Sequence, residues 1–330
     1  MQRNATLDIL KAIGIILVII GHNSYGLLFQ YIYSFHMPMF FILGGFLYKE
    51  RDVLQSLVLD FKHLLLPYLV YCITVSVLDY LLYGVSVARF VQDILKISWG
   101  SVVRIEVLGH YIQGVGYLWF LPTLFVTKNL FNVIYKGCKN FKAEPFSMLG
   151  LIALSILLGY LLYHKFCPLP FAITTGLNAV GYFAIGYLAK IVIKELKTLD
   201  NVKWYYWTII GCIWLFSGKF ALNGMGTCEY SFMPLDYLAG VTGTITCYWV
   251  SNIIRKNIHL LGNMLAIYGK HTIGILLIHQ FINSYAYIFN VENKNIFLII
   301  LLNIIVSILY VIGHIIVKNY NLHLIKYKDL

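Results

Sequence analysis

Stretches of roughly 17 to 25 apolar residues recur along this chain, and nothing else about it restricts the fold as much. The first opens as "DILKAIGIILVIIGH", residues 8–22, with no ionisable side chain between Lys11 and His22. In lipid a helix satisfies every backbone N–H and C=O within its own segment, so each such run reads as a spanning helix. Composition agrees: the 330 residues are 60% hydrophobic and 12% charged, with mean hydropathy +0.76. A soluble globule carries about 25% charged residues. The chain is expected to be an all-α integral membrane protein.

Ten candidate spans follow, near 7–29, 31–48, 64–82, 117–135, 148–163, 174–193, 204–220, 237–254, 272–289 and 296–317. Ten crossings put both termini on one side. The loops on that side, with the termini, hold 17 of the 25 basic residues, and the opposite loops hold six. Cytoplasmic loops are the ones enriched in Lys and Arg, so both termini are expected in the cytoplasm and the protein in the cell (inner) membrane as a multi-pass chain. The net charge of +11 has the same origin, since no basic run is interleaved with aromatics and nucleic acid is not an expected partner.

Residues 1–330 read as one domain, without an internal repeat, a low-complexity tract or a linker. The first run is followed by "GHNSYG" rather than a small-residue cleavage site, and another span follows, so it is expected to stay. Between 83 and 116 an amphipathic piece, "VARFVQDILKI", suits the outer surface. The six cysteines lack CxxC spacing; only Cys167 and Cys228 fall in expected outer loops, and no metal is expected.

Eleven residues at 100° each make three turns plus about 20°, so Lys11 and His22 share a helix face, roughly 16 Å apart along the axis. Asp8, one turn before Lys11, lies on that face and can pair with it. Taken singly, Lys11 also reads as a lysine reaching the inner headgroups and His22 as a helix end. The shared face favours a site. His36 is expected one turn inside the second helix, ahead of Met37 and Pro38, with Gly44 and Gly45 allowing close packing. A short loop between the two helices would make His22 and His36 neighbours at one membrane depth.

"DILKAIGIILVIIGH" followed by "FHMPMFFILGGFLY" resembles the amino-terminal signature of the acyltransferase-3 family of integral membrane O-acyltransferases. Its first-helix pattern is a basic residue, ten intervening residues and a histidine, matched by Lys11 and His22, with lysine where many members have arginine. "FKHLLLPYLV", "GYLWFLPTLF", "GYFAIGYLAK" and "YGKHTIGILLIHQ" match in order, so the resemblance runs along nearly the whole chain. Lys62 and His63 stand where the family is richer in arginine.

The resemblance implies a sugar or polysaccharide O-acetyltransferase. Such an enzyme moves an acyl group from cytoplasmic acetyl-CoA, or another acyl-CoA, to a hydroxyl of a cell-surface glycan or lipid-linked precursor, as in a capsule or exopolysaccharide. His22 and His36 take the catalytic roles, with a neutral imidazole as general base. Asp8, Lys11, Lys62, Trp119 and His279 are assigned to the donor, and the Trp119 indole is also a candidate oxyanion donor, as is His36. His279, mid-span, reads equally as a hydrogen-bonded structural histidine, and Lys128 faces the same choice. Asp236 and Glu229 read as solvated loop-end acids. The competing function is a glycan or lipid-linked sugar transporter, whose pathway intramembrane Lys, Asp and His would line.

Overall fold

The structure is a computed structural model that describes residues 4–140, 145–166, 168–193, 196–285 and 296–328. Helix α1 (Ala5–Gly21) starts where the Asn4 side chain accepts the Thr6 N–H, and Asp8 in its first turn suits the positive helix end. It stops at Gly21, not near residue 29. His22 is its C-cap, and Asn23 Nδ2 donates to the Ile19 carbonyl at 2.9 Å, satisfying a terminal group with side-chain polarity. The following connection is not a short loop: residues 26–33 form α2 (Gly26–Tyr33). Helix α3 (His36–Phe46) then begins on His36, which is its first residue rather than one turn inside.

Helices α4 (Val53–Asp60) and α5 (Leu66–Tyr83) are joined by a π turn, Phe61–Leu65. Pro67 explains its place. Lacking an N–H, it cannot bond four residues back, and the turn before it widens so that the Leu66 N–H reaches the Phe61 carbonyl.

The amphipathic piece is helix α6 (Val87–Trp99), with Ser86 accepting the Arg89 N–H at one end and Gly100 left-handed at φ +66° at the other. Its polar side faces protein. Tyr80 donates to Asp93 at 2.8 Å, Arg89 pairs with Asp79 at 3.3 Å, and Tyr68 donates to the Ile97 carbonyl at 2.8 Å. Val87, Phe90, Val91 and Ile94 are exposed on the other side, the inverse of a helix on a soluble protein. Strands β1 (Ile105–Val107) and β2 (His110–Ile112) add an antiparallel hairpin not expected from sequence.

The remaining helices are α7 (Phe120–Asn140), α8 (Pro145–His164), α9 (Ile173–Val192), α10 (Trp204–Gly218), α11 (Met233–Asn257), α12 (His259–Tyr268), α13 (Thr272–Tyr285) and α14 (Ile296–Lys328). Helix α12 occupies a stretch expected as an inner loop. Among the described residues four helical segments are long and apolar enough to cross a membrane: Gly26–Phe46, Val53–Tyr83, Ser147–His164 and Ile296–Lys318. They correspond to the second, third, fifth and tenth expected spans. The α12–α13 pair, bent by 74°, makes a fifth if counted as one broken span. Over their described residues the other expected spans are largely helical but shorter or less apolar, and residues 286–289 of the ninth lie outside the described residues.

The chain divides into two compact units, residues 1–32 with 247–330, and residues 33–246. In the second, α9 is the central helix, packed on α3, α7 and α8. Gly45 and Gly186 let α3 and α9 touch backbone to backbone: a Cβ on Gly45 would run into the Phe183 carbonyl, and one on Gly186 into that of Ile42. Small residues serve this purpose where lipid supplies no hydrophobic drive between helices. In the first unit α1 packs on α12 and α13, and α13 on α14.

Candidate functional site

The first unit holds Asp8, Lys11, His22 and His279. Asp8 is 3% exposed and accepts from Lys11 Nζ at 2.8 Å, the one-turn pairing expected on the shared face. Gly269, in the break between α12 and α13, lies directly on the Asp8 carbonyl, where any side chain would collide. Near the other end of α1, the half-buried His22 ring stacks on His279, with centroids 5.6 Å apart and planes 24° from parallel.

His279 is 1% exposed, and its Nδ1 lies 3.0 Å from Asn303 Oδ1. Asn303 Nδ2 donates to the Ile299 carbonyl at 2.9 Å and to Asn283 Oδ1 at 3.1 Å. A carbonyl only accepts, so the network assigns the Asn303 amide nitrogen to that side and its oxygen to His279. Nδ1 of His279 therefore carries the hydrogen, and in the neutral ring Nε2 carries the lone pair. The arrangement orients one imidazole through a buried amide and lays it against a second, more accessible one.

The second unit holds His36, Lys62 and Trp119. His36 is buried at the start of α3, with the Tyr33 ring edge-on at 4.7 Å. Lys62 is exposed on the π turn. Trp119 closes a 3₁₀ turn, Gly116–Trp119, and is buried close to Gly226, whose absent Cβ would lie 3.1 Å from the indole. Lys128 is held by Asp60 at 2.5 Å, and Asp60 also accepts from Ser56 at 3.2 Å.

Asp236 corrects the sequence reading. It is 0% exposed, and its carboxylate accepts the N–H groups of Leu222 at 2.7 Å, Asn223 at 3.3 Å and Phe232 at 2.9 Å, with the Ser231 hydroxyl at 3.3 Å. Four donors replace the water that a loop-end acid would use. Glu229 is exposed as expected. Cys228 is buried, and burial pushes its thiol up to about 12, with Glu229 adding to the shift, so it is not a thiolate at neutral pH. Cys167 lies outside the described residues.

Asn303, Asn283 and Asp60 were not anticipated. A signal existed for Asn303: it interrupts "IFLIILLNIIVSILY", where a lone amide in an apolar run needs a buried partner. Among the described residues no three His, Cys, Asp or Glu side chains gather as metal ligands would.

A family model described as an acyltransferase domain matches residues 4–317. No curated protein and no solved structure matches the chain.

Proposed function

The chain belongs to the acyltransferase-3 family, and from that premise we propose a membrane O-acyltransferase, most simply an O-acetyltransferase, using cytoplasmic acyl-CoA as donor. The acceptor is a hydroxyl of an extracytoplasmic glycan or glycan precursor. The topology proposed is ten spans with both termini in the cytoplasm, in the inner membrane, supported by the 17-to-6 division of basic residues. The observation that carries the reading is the disposition of α1: an ammonium steadied by Asp8 near one end and an imidazole stacked on a second imidazole near the other.

Lys11 is the cation for the donor's phosphates, and the roughly 16 Å rise to His22 suits an extended pantetheine arm carrying the thioester. His22 takes the acceptor's hydroxyl proton as the oxygen–carbon bond forms, and returns it to the thiolate when the carbon–sulfur bond breaks. Proton transfer of this kind contributes typically 10² to 10⁴ in rate. His36, Lys62 and Trp119 enter through the family pattern alone, His36 as the second catalytic group and the others on the donor side.

The test uses purified protein in vesicles with acetyl-labelled CoA and extracted envelope glycan. Label appearing on the glycan across the membrane is the expected result. Glycan that crosses without label would identify a transporter and overturn the proposal.

A further inference from the structure

We infer that Asn303 is a positioning residue for the transfer reaction: it fixes the tautomer and ring plane of His279, and His279 in turn holds the plane of His22. This rests on His22 being the base. The geometry lies within one unit, on α1, α13 and α14. His279 is 1% exposed, so it does not meet a substrate directly, whereas half-buried His22 stacks on it at 5.6 Å.

A histidine at a helix end turns about two side-chain bonds, and few of its orientations aim a ring nitrogen at an incoming hydroxyl. A flat, immobile ring beneath it removes most of that freedom. Immobility of His279 comes from Asn303, which accepts the Nδ1 hydrogen at 3.0 Å and is itself pinned by the Ile299 carbonyl and Asn283 Oδ1. Misplacement by about 1 Å at a reacting group can cost 10²-fold in rate, so a chain of three fixed groups has a catalytic consequence without touching substrate.

The tautomer matters as well. When His22 takes the hydroxyl proton it becomes an imidazolium, and a cation gains from the face of a neutral aromatic ring. With its Nδ1 hydrogen committed to Asn303, His279 in its neutral form offers that face. Loss of the acceptor at position 303 removes the hydrogen bond that selects this tautomer and loosens the ring.

The experiment measures CoA-thiol release from acetyl-CoA, in the presence of extracted envelope glycan, for Asn303→Leu, Asn303→Asp, Asn283→Ala and His22→Gln in vesicles. Asn303→Leu, similar in size and without an acceptor, is expected to lower kcat by about ten- to a hundred-fold with the KM for acetyl-CoA unchanged. Asn303→Asp keeps an acceptor for Nδ1–H but gives up both N–H anchors, and is expected to recover only part of the rate that Asn303→Leu loses. Asn283→Ala leaves Asn303 with one anchor and is expected to lose a few-fold, a measurement that stands even if Asn303→Leu folds poorly. If His22→Gln is inactive while Asn303→Leu and Asn283→Ala turn over as the unaltered protein does, the positioning inference is wrong and the base assignment stands. If His22→Gln retains its rate, the base assignment falls, and this inference with it. Equal losses in Asn303→Leu and Asn303→Asp would also sink it, because then the acceptor for Nδ1–H contributes nothing to the rate.

Discussion

Replacing Lys11 by alanine separates a donor-binding lysine from one that merely neutralises a buried acid. Lys11 Nζ stands 2.8 Å from Asp8 Oδ1, with the ammonium side chain 24% exposed and the carboxylate 4%. A hydrogen bond between a charged donor and a phosphate contributes about 1.5–3 kcal/mol. Its loss therefore raises the KM for acetyl-CoA by about 10- to 150-fold and leaves that for the acceptor alone. The same substitution takes the Lys11 ammonium away from the buried Asp8 carboxylate. Orphaning one partner of a fully buried pair costs about 3–5 kcal/mol, and the quarter of Lys11 open to solvent reduces this to about 1–2 kcal/mol. Lys11→Ala is thus expected to melt earlier in detergent as well as to bind donor poorly. Adding Asp8→Asn removes that buried charge, so the double variant regains part of its melting temperature but keeps the raised donor KM. Lys11→Arg, which keeps the charge, is milder in both. The assay pairs CoA-thiol release, run separately against donor and acceptor, with thermal unfolding. A double variant that recovers both stability and donor KM would refute the reasoning, for Lys11 would then serve only Asp8.

Asp236→Asn retains the acceptor facing Leu222 and Asn223 but turns an amide N–H toward that of Phe232, and is expected to lower stability by about 2 kcal/mol in detergent melts; an unchanged melt would mean that water reaches the site. Gly45→Leu forces a side chain into the Phe183 carbonyl and is expected to cost at least about 1–3 kcal/mol, read as lost monodisperse yield, whereas normal yield would show that α3 and α9 separate cheaply. Burial opposes ionisation of Asp93, but hydrogen bonds from Lys96 and Tyr80 outweigh it and hold the carboxyl below its ordinary 3.8. Its folded value is the depressed one, so its contribution to docking α6 is complete above the ordinary value and fades as pH falls through the folded value. Protection of the α6 amides, taken relative to their intrinsic exchange rate at each pH, should stay constant from neutrality to mildly acid pH and fall only in strong acid; a fall near pH 6 would mean that another group controls it.

The sequence by itself determined the solvent, the helical class and the family. Long apolar runs and 12% charge leave few alternatives to helices in lipid, and the signature from Lys11 to Tyr48 lies within a short, contiguous stretch. It also paired Asp8 with Lys11, because residues one turn apart share a face of a single helix whatever its neighbours are. The break after Gly21, the start of α3 on His36 and helix α12 were beyond it, since polar residues at a helix end and polar residues in a loop look alike until the caps are seen. Tertiary structure alone decided the rest. In lipid the packed face and the lipid-facing face of a helix are both apolar, so hydropathy carries little information about which helices touch. The stack of His22 on His279, 257 positions apart, and the amide of Asn303 behind it are set by how α1, α13 and α14 pack. Asp236 shows the same limit from the other side: an acid in a polar loop reads as solvated, and only the fold brings four donors to enclose it.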